Sequence, residues 1–350
     1  MRKTLSALTV GVLLAAATGT AFAATKLLET GSSLVYPLVN LWVADYQKQH
    51  GDVQITTQST GSGTGISQAV AGVAQIGASD AYMSDSQMSK GKILNIPLAI
   101  SAQQINYNIP ELNSEHLRLS GPVLAGIYDG SIRFWDDPKI ASINKAVESK
   151  LPHKDIIPIH RTDGSGDTFI FTQYLTFSTP SWKGGPGYGT TISWPAVPNA
   201  VGATGNPGMV QACKGTPYSI AYIGVSFLNE TNKEGLGVAM LQNRAGKFLL
   251  PTAGTVTAAA RALDSKTPGD ERISLIYGPG ADSYPIINYE YAIVNPQQPD
   301  AGTAAALRTF LGWAISRSGG SQSKYLDAVH FVPLPATIAK LSEKQITEIK

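Results

Sequence analysis

Four times in this chain a run of small residues ends an extended segment, and three of those runs open a helix. Thr30-Gly31-Ser32-Ser33 stands before apolar positions Leu38, Leu41 and Trp42, with Pro37 in the first turn, where proline is tolerated. Thr60-Gly61-Ser62-Gly63-Thr64-Gly65 links the alternating run Val53–Thr57 to a helix with apolar residues at 66, 69, 70 and 73. Gly77-Ala78-Ser79-Asp80-Ala81 ends a short strand from Gln75 on a carboxylate. Arg161-Thr162-Asp163-Gly164-Ser165-Gly166 leads from the strand Ile156–His160 into a helix reaching about Phe177. Strands alternating with helices predict an α/β fold with largely parallel sheet.

The same runs constrain the chemistry. The first amides of a helix lack intrahelical acceptors and carry the positive end of the helix dipole, and glycine lets a ligand approach them. Any one such turn reads simply as a helix cap, Asp80 alone as a turn residue, and Arg161 alone as a salt-bridging side chain. Together they predict one polyatomic anion gripped from several sides. Nucleotide loops are excluded, since no Gly-Lys-Ser/Thr follows the glycines and the dinucleotide spacing fails; no Gly-x-Ser-x-Gly elbow surrounds Ser62 or Ser165. The histidines at 50, 116, 153, 160 and 330 lack metal-ligand spacing, so neither metal nor cofactor is expected. His160 points away from Arg161 across the strand, which assigns it to packing, and Trp42, Trp135 and Trp313 read as core.

Residues 1–23 have the build of a cleaved export signal: Arg2 and Lys3, an apolar stretch through Val10, Val12, Leu13 and Leu14, then Ala21-Phe22-Ala23. That stretch is too short for a membrane span. The first 24 residues hold two of the 27 basic side chains and none of the 25 acidic ones, so the exported chain has no net charge. A nucleic-acid partner, which would call for a basic surplus, is not expected. The single cysteine, Cys213, has no intrachain partner and reads as a buried hydrophobe. Residues 184–208, rich in Gly and Pro, read as a surface excursion, and 301–316 as a helix. Two distant stretches, 101–109 (SAQQINYNI) and 286–294 (IINYEYAIV), both read as central strands.

With these residues in view, the sequence resembles the phosphate-binding proteins of bacterial phosphate ABC importers, the PstS family. The resemblance runs from Leu28 to about Leu341 and rests on GSSLVYP (31–37), STGSGTGISQ (59–68), IGASDAYMS (76–84), IYDGSIRFWDDP (127–138), HRTDGSGDTFIFTQYL (160–175), AYIG (221–224) and YPIINYEYAIVN (284–295). It implies the type II periplasmic-binding-protein fold: two α/β domains joined by two crossing strands, here 101–109 and 286–294, closing by a hinge over one phosphate. The implied domains are 24–104 plus 288–350, and 105–287. The phosphate contacts carried over are Ser33, the amide of Leu34, Ser62, Asp80, Arg161, Ser165, the amide of Gly166, and Asp167. Many members have Thr where Asp167 stands. The branch that shares Asp is lipid-anchored through a cysteine absent here, and has a second cysteine where this chain has Ser219.

Phosphate at neutral pH still has O–H groups to donate, and a carboxylate can only accept, so Asp80 and Asp167 favour a protonated oxyanion over sulfate. Asp167 is expected to favour the more protonated ion than Thr would. The resemblance implies a monomeric periplasmic or secreted binding module, not an enzyme, that captures inorganic phosphate and docks on the importer's membrane permease. A secreted phosphohydrolase and a binder of sulfate or molybdate are the alternatives.

Overall fold

A computed structural model describes residues 24–89 and 91–350; the export signal expected at 1–23 lies outside the described residues. The strands that build the site are β1 (Thr25–Gly31), β2 (Val53–Ser59), β3 (Ile76–Ser79), β4 (Leu94–Tyr107), β5 (Ile157–Arg161), β6 (Val201–Ala203), β7 (Ser219–Gly224) and β8 (Ile287–Val294). They form one continuous sheet in the order β2–β1–β3–β8–β4–β7–β5–β6, with Gly237–Val238 added beside β4. The outer pairs β1/β2, β1/β3, β5/β7 and β5/β6 are parallel, while β8 and β4 run antiparallel to their neighbours. The parallel ends form two α/β lobes, and β4 with β8 joins them.

All 14 residues of β4 are buried. At about 3.3 Å per residue the strand spans about 45 Å, enough to run from one lobe into the other. Leu94 to Ala102 pair with β8, and Gln103 to Tyr107 pair with β7. The expected strand 101–109 therefore begins seven residues early. Pro97 hides that beginning, because proline within a run argues against a central strand. Here the register shifts between Glu290 and Tyr291, and this irregularity brings Tyr291 opposite Pro97.

The helices follow from simple periodicity. Helix α1 (Tyr36–Gln49) buries Leu38, Val39, Trp42, Val43 and Tyr46 on one face, each worth about 1.5–3 kcal/mol as apolar surface leaves water. The Trp42 indole N–H donates to the Gly320 carbonyl at 2.8 Å. Helix α2 (Ser62–Val70) starts four residues before its apolar stripe. The glycine run read as a turn is thus its first turn, where side chains would collide: a Cβ on Gly65 would come within 2.7 Å of the Thr30 carbonyl oxygen. Helix α3 (Gly166–Ser178) and α5 (Ala301–Ile315) fall where the sequence places them, and α4 (Gly205–Gly215) follows β6. His160 stacks on Trp194 with ring centroids 5.1 Å apart, as its outward direction requires.

Residues 184–208 are not simply a surface excursion. Trp194 packs among Tyr128, Trp182 and Tyr222, and the Thr190 carbonyl accepts from the Ser165 amide at 2.8 Å. The segment then forms β6 and enters α4, so a half-buried aromatic anchors a stretch that otherwise runs along the surface. Cys213 is buried in α4, and burial pushes its thiol up to about 12. Ser219 Oγ lies 3.5 Å from the sulfur, so the position implied for a second cysteine is in contact with the first.

Candidate functional site: a buried cleft between two helix starts

The small-residue turns meet where the two lobes face each other. Gly61, immediately before α2, has φ +88°, in the left-handed region that favours glycine, and a Cβ there would also reach Asp163 of the other lobe at 2.6 Å. One residue into α3's lobe, a Cβ on Gly166 would strike both Asp80 and Ser62. The Gly63 amide donates to the Gly164 carbonyl at 2.8 Å, Ser226 Oγ donates to the Leu34 carbonyl at 2.7 Å, and Tyr82 packs edge-on against Phe169 at 5.4 Å. The lobes are shut.

On the second lobe, Arg161 is the last residue of β5, aimed inward by strand alternation and 4% exposed. Its Nε and Nη2 donate to the two Asp163 oxygens at 2.7 and 2.5 Å, and Nη1 donates to Asp167 Oδ2 at 2.8 Å. Burial works against the guanidinium charge, but Asp163 and Asp167 outweigh it and hold the group above its ordinary value. Burial likewise opposes ionisation of Asp163, and Arg161 overcomes it. Ser165 caps α3: its Oγ accepts from the Thr168 amide at 3.1 Å, which leaves its hydrogen free to donate. Asp167 accepts from Asn206 Nδ2 at 2.8 Å and Gln103 Nε2 at 3.1 Å besides Arg161. Burial pushes its carboxyl up against the pull of these groups.

On the first lobe the partners differ. Ser32 Oγ donates to Asp80 Oδ1, and Ser62 Oγ to Asp80 Oδ2 at 3.4 Å. Glu290, wholly buried, accepts from Ser101 Oγ at 2.5 Å and from Asn288 Nδ2 at 3.1 Å, and Asn288 Nδ2 also donates to the Asp80 carbonyl at 3.3 Å. Burial, then the charges of Glu290 and Asp167, push Asp80 well up. Ser33 Oγ accepts from the Asn206 amide and Nδ2 at 3.0 and 2.9 Å, bridging the lobes. The Leu34 amide, expected to face the anion, donates instead to Ser32 Oγ at 3.0 Å, closing a local turn.

All eight expected residues are therefore buried in one region, and Asp80 and Ser165 flank the same glycine. Five others belong to it. Ser32 is one residue before the expected hydroxyl, and Asp163 completes the guanidinium fork. Asn206 enters from a Gly-Asn-Pro helix start that repeats the small-residue signal of the other turns. Gln103 and Glu290 come from β4 and β8, where polar residues alternate within wholly buried strands. Among the described residues no group of three or more His, Cys, Asp or Glu is arranged to hold a metal ion, and no helix is long and apolar enough to cross a membrane.

A site of dipoles, hydroxyls and one guanidinium, ringed by carboxyls, can hold a small oxyanion that both accepts and donates hydrogen bonds. The model of the PBP superfamily domain matches residues 16–318. A protein named phosphate-binding protein PstS from Methanocaldococcus jannaschii is 35% identical over 338 residues, covering 92% of this chain and 85% of its own length. One of the same name from Pasteurella multocida is 33% identical over 321 residues, 91% of this chain and 90% of that one. The solved phosphate-binding protein of Stenotrophomonas maltophilia superimposes with a TM-score of 0.68 at 19% identity, over 92% of this chain and 94% of that chain, which shows the type II periplasmic-binding-protein fold. By the extent and level of these matches, this chain belongs to the PstS family within the PBP superfamily.

Proposed function

We propose that the chain binds one inorganic phosphate ion between its lobes, on the periplasmic side of the cytoplasmic membrane, and delivers it to the permease of a phosphate ABC importer. The lobes divide at residues 104/105 and 287/288, near the point where β4 changes partner, and move about those two strands. Ser33, Ser62, Asp80, Arg161, Ser165, Gly166 and Asp167 contact the ion, with Asn206 between Ser33 and Asp167, and the Leu34 amide reaches it only by giving up its bond to Ser32 Oγ. The protein acts as a monomer and performs no chemistry on its ligand.

The observation that carries this reading is the meeting of Asp80, Ser62 and the α3 start at Gly166, beside the only guanidinium of the cluster. Hydroxyl and amide hydrogens serve the phosphate oxygens, and carboxylate oxygens take its hydrogens. Sulfate would leave those acceptors facing bare negative charge. An unmatched buried group costs about 1–3 kcal/mol, roughly ten- to hundredfold in affinity. Calorimetric titration with phosphate and with sulfate at pH 7 tests the reading: phosphate should bind at least about tenfold more tightly, and a chromogenic phosphomonoester should not be turned over. Equal affinity for the two anions would overturn it.

A further inference from the structure

A single buried amide ties the two lobes' shares of this site together. Asn206 is wholly buried and is the second residue of α4. Its backbone N–H donates to Ser33 Oγ at 3.0 Å, and its Nδ2 donates to Ser33 Oγ at 2.9 Å and to Asp167 Oδ2 at 2.8 Å. Its Oδ1 accepts from the Gly224 amide at 2.8 Å, at the end of β7. That last bond fixes the orientation of the side chain: the oxygen meets β7, and the nitrogen faces Ser33 and Asp167.

Counting hydrogens fixes the rest. A serine hydroxyl has two acceptor sites and one hydrogen. Asn206 fills both acceptor sites of Ser33, so the Ser33 hydrogen can only be given away. Among the described residues no protein acceptor takes it, which leaves an ion between the lobes as its partner. Both Nδ2 hydrogens are spent, one on each lobe. The one on Asp167 shares Oδ2 with Arg161 Nη1, while Gln103 Nε2 donates to Oδ1. Donors on both oxygens favour the ionised, accepting form of Asp167.

We propose that Asn206 is a positioning residue that sets the direction of hydrogen bonding on both sides of the ion, compelling Ser33 to donate and holding Asp167 to accept. This rests on the phosphate reading above, since an oxyanion that carries hydrogen needs a partner of each kind. The arrangement exists only with the lobes shut, because Ser33 belongs to the first and Asn206 to the second. Helix α4 depends on it too. Its own N-cap residue, Thr204, makes no side-chain capping bond, and Ser33 supplies one across the cleft. The preceding amide, Gly205 at φ +65°, donates to Asp163 at 3.2 Å. Opening the lobes therefore uncaps α4 and frees the Ser33 hydroxyl to turn.

The test is calorimetry with inorganic phosphate on the parent, Ser33→Ala, Asn206→Asp, Asn206→Leu and the double variants. At pH 8 Ser33→Ala alone should cost about tenfold in affinity. Asn206→Asp keeps the shape but turns the donor into an acceptor, which claims the Ser33 hydrogen. On that background Ser33→Ala should cost less than about twofold. The charged groups around the new carboxyl are Asp167, Arg161 bonded to it, and Asp163 at the α4 start. Lowering the pH to 5.5 gives this carboxyl a proton to share with Asp167, so the parent-to-variant affinity ratio should narrow by about tenfold. The ratio for Asn206→Leu, which fills the space without titrating, should stay flat. Taking ratios cancels the ionisation of phosphate itself. Should Asn206→Asp fail to fold, Asn206→Leu makes the comparison: with one acceptor site of Ser33 emptied, Ser33→Ala should cost about threefold there instead of tenfold. A Ser33→Ala cost that is the same on every background, or absent from the parent, overturns the role of Asn206 and leaves the phosphate reading intact. A parent that binds no phosphate at either pH overturns both.

Discussion

The two walls of the cleft each take carboxyl groups out of water, and each solves the problem differently. On the second lobe Asp163 and Asp167 flank a guanidinium, three short charge-assisted bonds spread over both. On the first lobe's side Asp80 and Glu290 are buried with no cation among their hydrogen-bond partners, which are serine hydroxyls and Asn288. The first arrangement neutralises by charge and is insensitive to pH near neutrality. The second has no counter-charge, and burial raises both of its carboxyls, so its protonation responds to pH near neutrality. A site built only the first way would hold any oxyanion of suitable size; the second wall supplies the dependence on ligand hydrogens.

The strongest way to break this comparison is to remove the cation. Arg161→Ala leaves Asp167 buried, and Asp163 half-buried, without a counter-charge. Breaking a buried ion pair from one side costs about 3–5 kcal/mol, and phosphate affinity should fall by about a hundred- to a thousandfold. Thermal melts should show the stability loss at pH 7 and partial recovery near pH 5. The sign follows from linkage: without Arg161 the folded-state carboxyls sit above their unfolded values, so they destabilise at high pH and are relieved by protonation. A variant with parental stability and phosphate affinity would show that the second wall is not what carries the charge. Next in size is Asp80→Asn, which exchanges an acceptor for a group that can also donate. Phosphate should weaken and sulfate strengthen, narrowing their ratio by about ten- to hundredfold. Unchanged exclusion of sulfate would remove Asp80 from the selectivity mechanism.

How much of this was legible in the sequence divides along the same line. Arg161, Asp163, Ser165 and Asp167 lie within seven consecutive residues between a strand and a helix, and local geometry alone turns them toward one point. The wall without a cation is assembled from Ser32, Asp80, Ser101 and Glu290, separated by up to 258 residues, and strand alternation reveals which face each takes but not what it meets. Ser101 and Glu290 become neighbours only through the antiparallel register of β4 and β8. Pro97 masked the first half of β4, and glycine content masked the first turn of α2 and the entry of Asn206. In each case tertiary packing decided what local propensity left open: the register irregularity beside Pro97, and the close approach of Gly65 to the Thr30 carbonyl.

The smallest effect should come from Asp167→Thr, and it sharpens the comparison most. Threonine keeps a hydroxyl for the ion and cannot titrate, so it isolates what the Asp167 carboxylate adds. Burial raises that carboxyl, which alone would make binding favour the more protonated phosphate. Yet Arg161, Asn206 and Gln103 all donate to it, so it competes poorly for a proton against Asp80 and Glu290, which have no cation beside them. Between pH 6 and 8.5 the variant's affinity profile should therefore depart from the parental one by only about two- to threefold, a difference worth about 0.4–0.7 kcal/mol. Calorimetry across that range, run beside Glu290→Gln, decides between the walls. A profile flattened by Asp167→Thr and left steep by Glu290→Gln would move the proton sensor from the first wall to the second.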